Sequence, residues 1–513
     1  MMKRLSVILT LTAAMLGFIP SHLAAADDVV DTLGFIVKTQ NAEALEVLVE
    51  DKGLEIGPLI TYPNPSDEVL EVFGCYFIVT IPQELHSIQN SIVDELETLP
   101  GVEYVEPNLS IPVELHVEQG TMQESFQNPF NMPDTFDDPY TPNDPMFPNQ
   151  YGPQITKVDW AWNLSTGEGV KIAILDAGFD VHHEDLIDNL DLENAYDFTD
   201  DDTIVDGLQH GTWVTGIAGA KIDNGIGIAG VAGNSSILPL RVIGGSGQLH
   251  PYLVKAIIYA ADKEARVISM SIGTIVPSQT TEDAIDYVWE RGVFVCASAG
   301  NSNKDELPYP ASYGHVMSVG GTDSEDERWD DGDHGSNFGS NVDVYAPADS
   351  IFTTDLDDSY GYPSFPSGTS FSAPHVAGLA ALIWDVHPDW TNQQVWDKII
   401  ESADTITIDK GKVLRMNACK ALDIVPGITE HPVAETAEWK VLSSIGQRIV
   451  LKYHDLPQGF HASIFDATGR KVDEIESPAQ KGVLTWGENH SPGVYFIVLG
   501  DKEVSVQKVI LIE

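Results

Sequence analysis

Apolar and polar positions follow two periods along the chain, and the longest patterned region lies in its middle, from residue 148 to about 424. Short apolar runs there predict buried strands at 171–175, 267–271 and 293–297. Helical periodicity is clearest at 253–261, 281–290, 371–384 and 392–400. Strands that alternate with helices are typical of a parallel sheet covered on both faces. The pattern therefore predicts an α/β domain.

The regions on either side have different patterns. Residues 34–107 are predicted to form a small α+β unit, with strands at 34–38, 75–81 and 102–107 and helices at 42–49 and 85–99. Residues 113–144 are rich in Asn, Asp, Pro and Gln without periodicity, which predicts a linker. After Pro426, short alternating runs and the turn Asp466-Ala-Thr-Gly469 predict a small antiparallel β-sandwich.

The first 26 residues have the layout of a secretory signal peptide. Lys3 and Arg4 precede an apolar run over residues 5–19, and three alanines at 24–26 offer a cleavage pattern before Asp27. The apolar run is too short to span a bilayer, and no later stretch is long and apolar enough. The sequence predicts an exported protein that is secreted or held at the cell surface and does not span the membrane.

Charge and cysteine content narrow the possible partners. The 513 residues include 27 Lys and Arg against 78 Asp and Glu, a formal net charge of −51. Such acidity disfavours nucleic acids and anionic membranes and favours hard cations. Three cysteines make no disulfide framework. Cys75, Cys296 and Cys419 are predicted to be buried thiols, with a bridge between Cys296 and Cys419 as the alternative.

Three polar side chains lie where predicted strands or helices begin or end. Asp176 directly follows the strand at 171–175, His210 opens a run of small residues, and Ser370 precedes the helix at 371–384. Taken singly, each has an ordinary interpretation as a turn former, a surface residue or a helix cap. Together they provide an orienting acid, a base and a nucleophile, the groups that acyl transfer needs.

The sequence around these residues resembles the subtilisin family of serine endopeptidases. Three blocks match the family's active-site motifs in the order Asp, His, Ser: Ile174-Leu-Asp-Ala-Gly-Phe-Asp180, Gln209-His-Gly-Thr212 and Gly368-Thr-Ser-Phe-Ser-Ala-Pro-His-Val-Ala-Gly378. The resemblance implies that Ser370 attacks the scissile carbonyl, His210 transfers the proton and Asp176 orients the imidazole. It also implies a subtilisin-like parallel sheet flanked by helices.

Two further segments extend the resemblance to the substrate cleft. Ala297-Ser-Ala-Gly-Asn-Ser-Asn303 implies that the Asn301 amide binds the oxyanion together with the N–H of Ser370. Ser269-Met-Ser-Ile-Gly-Thr274 resembles the segment that pairs with the substrate backbone and walls the pocket for the residue before the cut. The resemblance thus implies substrate contacts at Ser271, Ile272 and Gly273.

Departures from the family pattern occur in both cleft segments and near the histidine. Ser269 stands where Asn is common, and Thr274 stands where Gly is common, a change that can narrow the pocket. Trp213 occupies a position that often holds a small residue or His. It is expected to pack beneath the active site, with a role in shaping the cleft as the alternative.

The resemblance also implies calcium, because the family often binds this ion through oxygen ligands. Asp185 and the loop at 221–226 fall where one common site lies, and Asp144 adds a third carboxylate. The loop has one residue more than usual, so the ligand is either Asp223 or Asn224; Asp223 is the residue predicted here. The acidic run at 200–202 is predicted to be a solvated loop. No organic cofactor is implied.

The flanking regions carry resemblances of their own. Residues 27–112, ending in Leu99-Pro-Gly-Val-Glu-Tyr-Val-Glu-Pro-Asn108, are similar to an inhibitor-like propeptide that assists folding and blocks the cleft. Residues 426–513 resemble the C-terminal sorting domain of type IX secretion cargo, most clearly at 463–472, 491–499 and 508–513. With a signal peptide at 1–26 and a linker at 113–144, this leaves 145–425 as the subtilisin-like catalytic domain.

These resemblances imply a secreted, self-processed serine endopeptidase of broad or apolar-leaning specificity. Its expected partners are protein or peptide substrates, its own propeptide as an inhibitor and the secretion machinery; a monomer is expected. No Lys or Arg lies between Lys52 and Lys157, so autocatalytic maturation there requires a cut after a non-basic residue. The alternatives are an adhesion protein built on an inactive protease fold and a structural surface protein with incidental activity.

Overall fold

The computed structural model describes residues 31–110, 138–203, 205, 209–244, 249–363, 367–424 and 439–511, the last range with gaps at 444, 447, 454–459, 467–469, 488–489 and 500–504. Two compact units are found: the first contains the described residues of 31–110 and 140–424, and the second contains 138–139 and the described residues from 439 onward. The predicted signal peptide at 1–26 and most of the predicted linker at 113–144 lie outside the described residues.

The N-terminal part of the first unit contains one antiparallel sheet of four strands in the order β2-β3-β1-β4. Its elements are β1 (Asp31–Thr39), α1 (Ala42–Lys52), β2 (Glu55–Pro58), α2 (Asp67–Phe73), β3 (Tyr76–Thr80), α3 (Gln89–Glu97) and β4 (Val102–Ser110). The predicted helix at 85–99 is α-helical only from residue 89, after a 3-10 stretch at Gln83–Ile88; neither start has a side-chain cap. The short elements β2 and α2 were not predicted.

The rest of the first unit contains a nine-stranded sheet in the order β14-β15-β11-β10-β9-β8-β5-β7-β6. All neighbouring pairs are parallel except β14 with β15. The elements are α4 (Tyr151–Ile155), α5 (Val158–Ala161), β5 (Lys171–Asp176), β6 (Tyr196–Asp197), α6 (His210–Gly219), β7 (Ser236–Arg241), α7 (Leu249–Asp262), β8 (Val267–Met270), α8 (Gln279–Glu290), β9 (Phe294–Ser298), β10 (Met317–Thr322), β11 (Val344–Pro347), the hairpin β12 (Thr353–Asp355) and β13 (Ser359–Gly361), α9 (Thr369–Val386), α10 (Asn392–Ser402), β14 (Asp404–Ile408), β15 (Gly411–Arg415) and α11 (Ala418–Ala421). The predicted α/β fold is confirmed.

Alternation along β5 divides the core between the two faces of this sheet. Ile172 and Ile174 point into one hydrophobic cluster, which also contains residues of α6, α9 and α10. Ala173 and Leu175 point into a second cluster with residues of α7 and α8. We call these the α9 face and the α7 face. Because β5 is an interior strand, between β8 and β7, and is covered on both sides, its run of buried residues is apolar on both faces.

The α7 face is also covered by the N-terminal part of the unit. Apolar side chains from the region between β2 and β3, and from the first residue of β3, belong to the same cluster as α7 and α8: Leu59, Ile60, Tyr62, Val69, Phe73 and Tyr76. Phe73 is 1% exposed, and its ring lies 5.1 Å from that of Tyr287 on α8. The N-terminal part therefore shares a hydrophobic core with this face of the sheet.

The second unit contains two sheets. Its strands are β16 (Trp439–Ser443), β17 (Ile445–Gly446), β18 (Ile449–Tyr453), β19 (Phe460–Asp466), β20 (Lys471–Ser477), β21 (Gly482–Trp486), β22 (Gly493–Leu499) and β23 (Ser505–Leu511). The sheet orders are β16-β18-β21 and β17-β23-β22-β19-β20, antiparallel apart from the pair β17 and β23. Buried residues of both sheets form one cluster, including Leu451 and Ile497, which is the arrangement of a small β-sandwich.

The three cysteines are free thiols, so the alternative of a bridge between Cys296 and Cys419 is wrong. Cys296 and Cys419 are buried as predicted, whereas Cys75 is only half-buried. Burial raises the pKa of Cys296 to about 12 and leaves it unreactive. In the described part of the chain, no helix combines the length and apolarity that crossing a bilayer requires.

Candidate active site

Asp176 and His210 meet at the carboxyl end of strand β5. Asp176 is the last residue of β5 and is fully buried, and His210 is the first residue of α6. Asp176 Oδ1 accepts hydrogen bonds from His210 Nδ1 at 2.7 Å and from the backbone N–H of Ala177 at 2.7 Å. With Nδ1 donating to the carboxylate, Nε2 of the imidazole is left as the basic nitrogen.

Ser370 lies in the first turn of α9, where its side chain is half-buried. Its hydroxyl makes no hydrogen bond with His210 or any other described residue. Trp213 links the two regions, because its ring lies 5.8 Å from that of His210 and 6.3 Å from that of Phe371. The structure thus brings Asp176 and His210 into direct contact and places the start of α9 close to them.

A proline within α9 leaves the backbone carbonyl of Ser370 without its usual helical partner. Pro374 has no N–H to donate to the carbonyl four residues earlier. The hydroxyl of Ser271 donates to this carbonyl instead, at 2.7 Å. This bond ties the first turn of α9 to the segment that follows β8, and it fixes the position of Ser370 relative to that segment.

The side-chain amide of Asn301 is oriented by Thr369, the residue before Ser370. Asn301 Oδ1 accepts from the backbone N–H of Thr369 at 2.9 Å and from its hydroxyl at 2.7 Å. Asn301 Nδ2 donates to no described residue, and a Cβ built on Gly368 would lie 3.5 Å from it. The amide NH₂ therefore remains available beside the start of α9. The role of Thr369 was not predicted from sequence.

Ser271, Ile272 and Gly273 continue the chain directly beyond β8. Ser271 and Ile272 are buried, whereas Gly273 is half-buried. Thr274 forms two backbone hydrogen bonds with Tyr309, at 2.9 and 2.8 Å. The Thr274 hydroxyl accepts the N–H of the residue two positions on, at 3.2 Å, so its hydroxyl is engaged within its own loop.

Trp213 packs beneath the candidate site, as predicted. It is 1% exposed, and its Nε1 donates to Asp355 Oδ1 at 2.9 Å. His375, the other histidine of the α9 motif, is also buried, with Nδ1 at 2.7 Å from the carbonyl of Phe371. Burial lowers the pKa of His375 to about 4, so it is neutral and bonded within its own helix. His210 is therefore the histidine available to act as a base.

Two of the three carboxylates predicted as calcium ligands, those of Asp144 and Asp185, accept hydrogen bonds from the same residue, Asn224. Asp144 accepts hydrogen bonds from the backbone N–H groups of Asp223 at 2.9 Å and Asn224 at 3.2 Å. Asp185 accepts from the side-chain amide of Asn224 at 2.7 Å. The carboxylate of Asp223 accepts from the hydroxyl of Tyr140. Of the two alternatives for this loop, Asn224 is thus the residue whose side chain contacts Asp185.

Asp144 and Asp185 are buried without a cationic side chain at ion-pair distance in the described part of the chain. Burial raises the pKa of Asp185 to about 7 and raises that of Asp144 as well. A Cβ built on Gly227 would lie 2.1 Å from Asp185 Oδ2, so only glycine leaves room beside this oxygen. Within the described residues, no three His, Cys, Asp or Glu side chains form a metal-binding group.

Comparison with known proteins identifies this arrangement with one family. The family model described as "Subtilase family" matches residues 167–423. The chain is 38% identical over 322 residues to a thermophilic serine proteinase of Bacillus sp. (strain AK1), covering 62% of this chain and 71% of that protein. It is 41% identical over 247 residues to thermitase of Thermoactinomyces vulgaris, covering 48% and 85%. An alkaline protease of Alkalihalobacillus alcalophilus is 28% identical over 412 residues, covering 79% and 95%.

Proposed function

Because the chain belongs to the subtilase family and is a serine-type endopeptidase, we propose that Ser370, His210 and Asp176 form its catalytic triad. The observation that carries the proposal is the 2.7 Å hydrogen bond between Asp176 and His210. This hydrogen bond leaves Nε2 free to act as the base. Ser370 lies in the first turn of α9, and its half-buried hydroxyl has no competing hydrogen bond to a described residue. A base with a free nitrogen and a hydroxyl without a competing partner are two of the requirements for activating a serine; the third, contact between Ser370 Oγ and His210 Nε2, belongs to the proposal.

In the proposed reaction, Ser370 Oγ attacks the carbonyl carbon of the scissile peptide bond while His210 Nε2 takes the hydroxyl proton. Asp176 stabilises the imidazolium that results. Collapse of the tetrahedral intermediate breaks the C–N bond, and His210 gives its proton to the leaving amine. A water molecule then attacks the acyl-enzyme with His210 again as the base, which releases the acid and restores Ser370.

The oxyanion that forms in each step needs donors that are already in position. We assign this role to Asn301 Nδ2 and to the backbone N–H of Ser370. Thr369 supports the assignment. Its two hydrogen bonds hold Asn301 Oδ1, so the NH₂ group of the same amide points away from Thr369. The positive end of α9 adds to the stabilisation of negative charge at this point.

Replacement of the nucleophile tests the triad. In Ser370→Ala, hydrolysis of casein by the purified protein is expected to fall by about 10⁴-fold or more, since the covalent step is lost. Ser372→Ala is the matched control, because Ser372 lies one position past Phe371 in the same helix and its hydroxyl donates to the carbonyls of Ala346 and Pro347. Unchanged hydrolysis in Ser370→Ala would exclude Ser370 as the nucleophile.

We further propose that residues 27–112 act as an inhibitory propeptide that the enzyme removes itself. The described part of this region shares a core with α7 and α8, and Tyr76 on β3 donates to Asp283 on α8 at 2.7 Å. On β4, Glu106 accepts from the hydroxyl of Ser278 and from the backbone N–H of Gln279, each at 2.9 Å. These donors begin α8, shortly after the proposed substrate segment, so β4 lies beside the chain that leads out of the cleft.

Export is the remaining part of the proposal. Residues 1–26 would direct secretion, and residues 426–513 would serve as a type IX secretion sorting domain that delivers the enzyme to the medium or the cell surface. The two-sheet arrangement of the second unit supports a separate domain there. Removal of the propeptide is expected after a non-basic residue, because residues 53–156 contain no Lys or Arg.

Calcium is proposed as a structural ion held by Asp144, Asp185 and Asn224. Two buried carboxylates without a cationic partner among the described residues, with the side chain of Asn224 beside them, suit a hard cation. We expect chelation by EDTA to lower the melting temperature of the parent and to have little effect on Asp185→Asn. Asp200→Asn, in the acidic loop, is the control and should keep the EDTA response. No shift in the parent protein would rule out a stabilising calcium ion.

A further inference from the structure

Trp213 lies three residues after His210 in α6, the helix that begins with the proposed base. Residues three apart share one face of a helix, and helical side chains lean towards the N-terminus. The indole therefore covers the turn that carries His210. The centroids of the two rings are 5.8 Å apart and their planes meet at 60°, which is an edge contact. The indole thus limits the space into which the imidazole can turn.

The same ring also contacts the start of α9. Its centroid lies 6.3 Å from that of Phe371, the residue after Ser370, and both aromatic residues belong to one buried cluster. Trp213 is 1% exposed, so a peptide substrate cannot touch it. Any effect of the indole on the reaction must therefore pass through its neighbours, the proposed base on one side and the helix of the proposed nucleophile on the other.

A carboxylate on the hairpin fixes the orientation of the indole. Trp213 Nε1 donates to Oδ1 of Asp355, the last residue of β12, at 2.9 Å. The same oxygen accepts the backbone N–H of Leu356 at 2.9 Å, which orients the carboxylate. A hydrogen bond to a charged acceptor is stronger than one between neutral groups. Because Nε1 is the only hydrogen-bonding atom of an indole, this bond sets the rotation of the whole ring.

The strand that ends at Asp355 is itself tied to the first turns of α6. The hydroxyl of Thr353 donates to the carbonyl of Trp213 at 2.8 Å. The hydroxyl of Thr354 donates to the carbonyl of Thr212, also at 2.8 Å. Helix α6 begins without a side-chain cap, so these bonds hold its start from the side. The distance between the carboxylate and the indole is therefore fixed by the fold.

We propose that Trp213, held by Asp355, is a positioning residue that keeps the His210 imidazole in the orientation in which it transfers protons. The inference rests on the proposed triad and adds to it a side chain that no substrate atom touches. The imidazole must keep one orientation while it takes the proton of the serine hydroxyl and returns it to the leaving amine. Asp176 holds Nδ1 alone, and a single hydrogen bond leaves the ring free to swing about it. The indole edge blocks this motion.

The kinetics of hydrogen-bond variants test this proposal, with kcat and KM measured on a peptide anilide and active sites titrated with a fluorophosphonate. Trp213→Phe keeps an aromatic ring without the N–H. Its kcat should fall by about tenfold or more with KM nearly unchanged, since misplacing a catalytic group by about 1 Å can cost about 10²-fold. Asp355→Ala should show the same loss, and the double variant should be no slower than either single variant. Asp355→Asn keeps an acceptor oxygen and should retain most of the parent kcat.

Trp162→Phe is the matched control. Trp162 is 4% exposed, and its Nε1 donates to the carbonyl of Val231 at 2.9 Å, so this variant also loses one buried indole hydrogen bond. Its melting temperature should fall, as in Trp213→Phe, while kcat stays at the parent value. The comparison separates an effect on the base from a general loss of stability. If Trp213→Phe does not fold, the two Asp355 variants decide the matter, because they leave the indole in place.

Equal kcat values for Trp213→Phe and Trp162→Phe would overturn the proposal, as would a rise in KM that accounts for the whole loss. A kcat in Asp355→Asn as low as that in Asp355→Ala would refute the role of the hydrogen bond. Should the anilidase activity vanish in Ser370→Ala while kcat does not move in the Trp213 and Asp355 variants, only the positioning role is refuted. Activity that persists in Ser370→Ala would refute the triad instead.

Discussion

The two faces of the nine-stranded sheet are built from different chemistry. On the α9 face, the helix that carries Ser370 packs through small residues, and 15 of its 18 residues are buried. On the α7 face, tyrosines and carboxylates join the N-terminal part to α8: Asp283 accepts from Tyr76 at 2.7 Å and from Tyr104 at 3.3 Å. The α9 helix is thus held by close packing, whereas the N-terminal part adds polar contacts to the apolar core that it shares with the α7 face, a mixture that would suit the release proposed for it.

The contacts that hold the two faces also differ in whether they contain groups that gain or lose a proton. Around Ser370, the main fixed contacts are uncharged hydrogen bonds from Ser271 and Thr369, which do not change between pH 4 and 9. At the α7 face, Asp283 also lies 3.5 Å from Lys38, and Glu106 binds the start of α8. We therefore expect substitutions on the α9 face to change turnover, and substitutions on the α7 face to change the docking of the N-terminal part.

The largest effect is expected at the orienting acid. In Asp176→Asn, kcat should fall by about 10⁴-fold with little change in fold, because the amide favours the wrong imidazole tautomer. Asp180→Asn is the control on the same loop, where the carboxylate accepts the N–H groups of His182 and Asp357. The measurement is kcat on a peptide anilide. A loss below about tenfold in Asp176→Asn would break the proposed link between acid and base.

A smaller loss is expected at the oxyanion donor. In Asn301→Ala, kcat should fall by about 10²–10³-fold with KM nearly unchanged, since the lost hydrogen bond forms mainly in the transition state. Asn303→Ala is the control, because its amide donates to Asp330 at the surface. Equal kcat values for the two variants would contradict the assignment of Asn301.

The smallest effect concerns the α7 face and its dependence on pH. Burial raises the pKa of Glu106 above its ordinary value of 4.5, although Thr280 and Ser278 donate to the carboxylate. Docking therefore takes up a proton: it is favoured below pH 4.5 and weakens as pH rises through the docked pKa. In Glu106→Gln, this dependence should disappear.

Hydrogen exchange of the β4 amides in full-length Ser370→Ala, corrected for intrinsic rates and followed from pH 4 to 8, measures the docking. Glu103→Gln is the control on the same strand, since its carboxylate bonds Lys38 and Gln40 within the N-terminal part. If protection falls with pH to the same degree with and without Glu106, the carboxylate does not couple docking to protonation.

Residues with a local sequence signal could be assigned to the end of a strand or the start of a helix before the structure was known. Asp176 follows an apolar strand, and Ser370 precedes an alanine-rich helix, so neighbouring residues alone define both positions. The short elements β2 and α2 span only four and seven residues, too few for periodicity to identify. Ser66, whose hydroxyl accepts the N–H of Val69, was the sequence signal available for the start of α2.

Residues whose partners are distant in sequence could not be assigned. Thr369 orients an amide 68 positions earlier, and Ser271 binds a carbonyl 99 positions later. Trp213 donates to Asp355, which lies in a separate hairpin. For the calcium loop, the choice between Asp223 and Asn224 depends on backbone turns in which Asp223, at φ 61°, is left-handed. These contacts are products of the fold, so no local pattern encodes them.

Covalent labelling with an active-site reagent shows which serine is the nucleophile. The mature enzyme is treated with a fluorophosphonate, digested and sequenced by mass spectrometry. We expect one adduct per chain, on Ser370, formed in parallel with the loss of proteolytic activity. An adduct on another serine with Ser370 unmodified, or full inactivation without an adduct on Ser370, would contradict it.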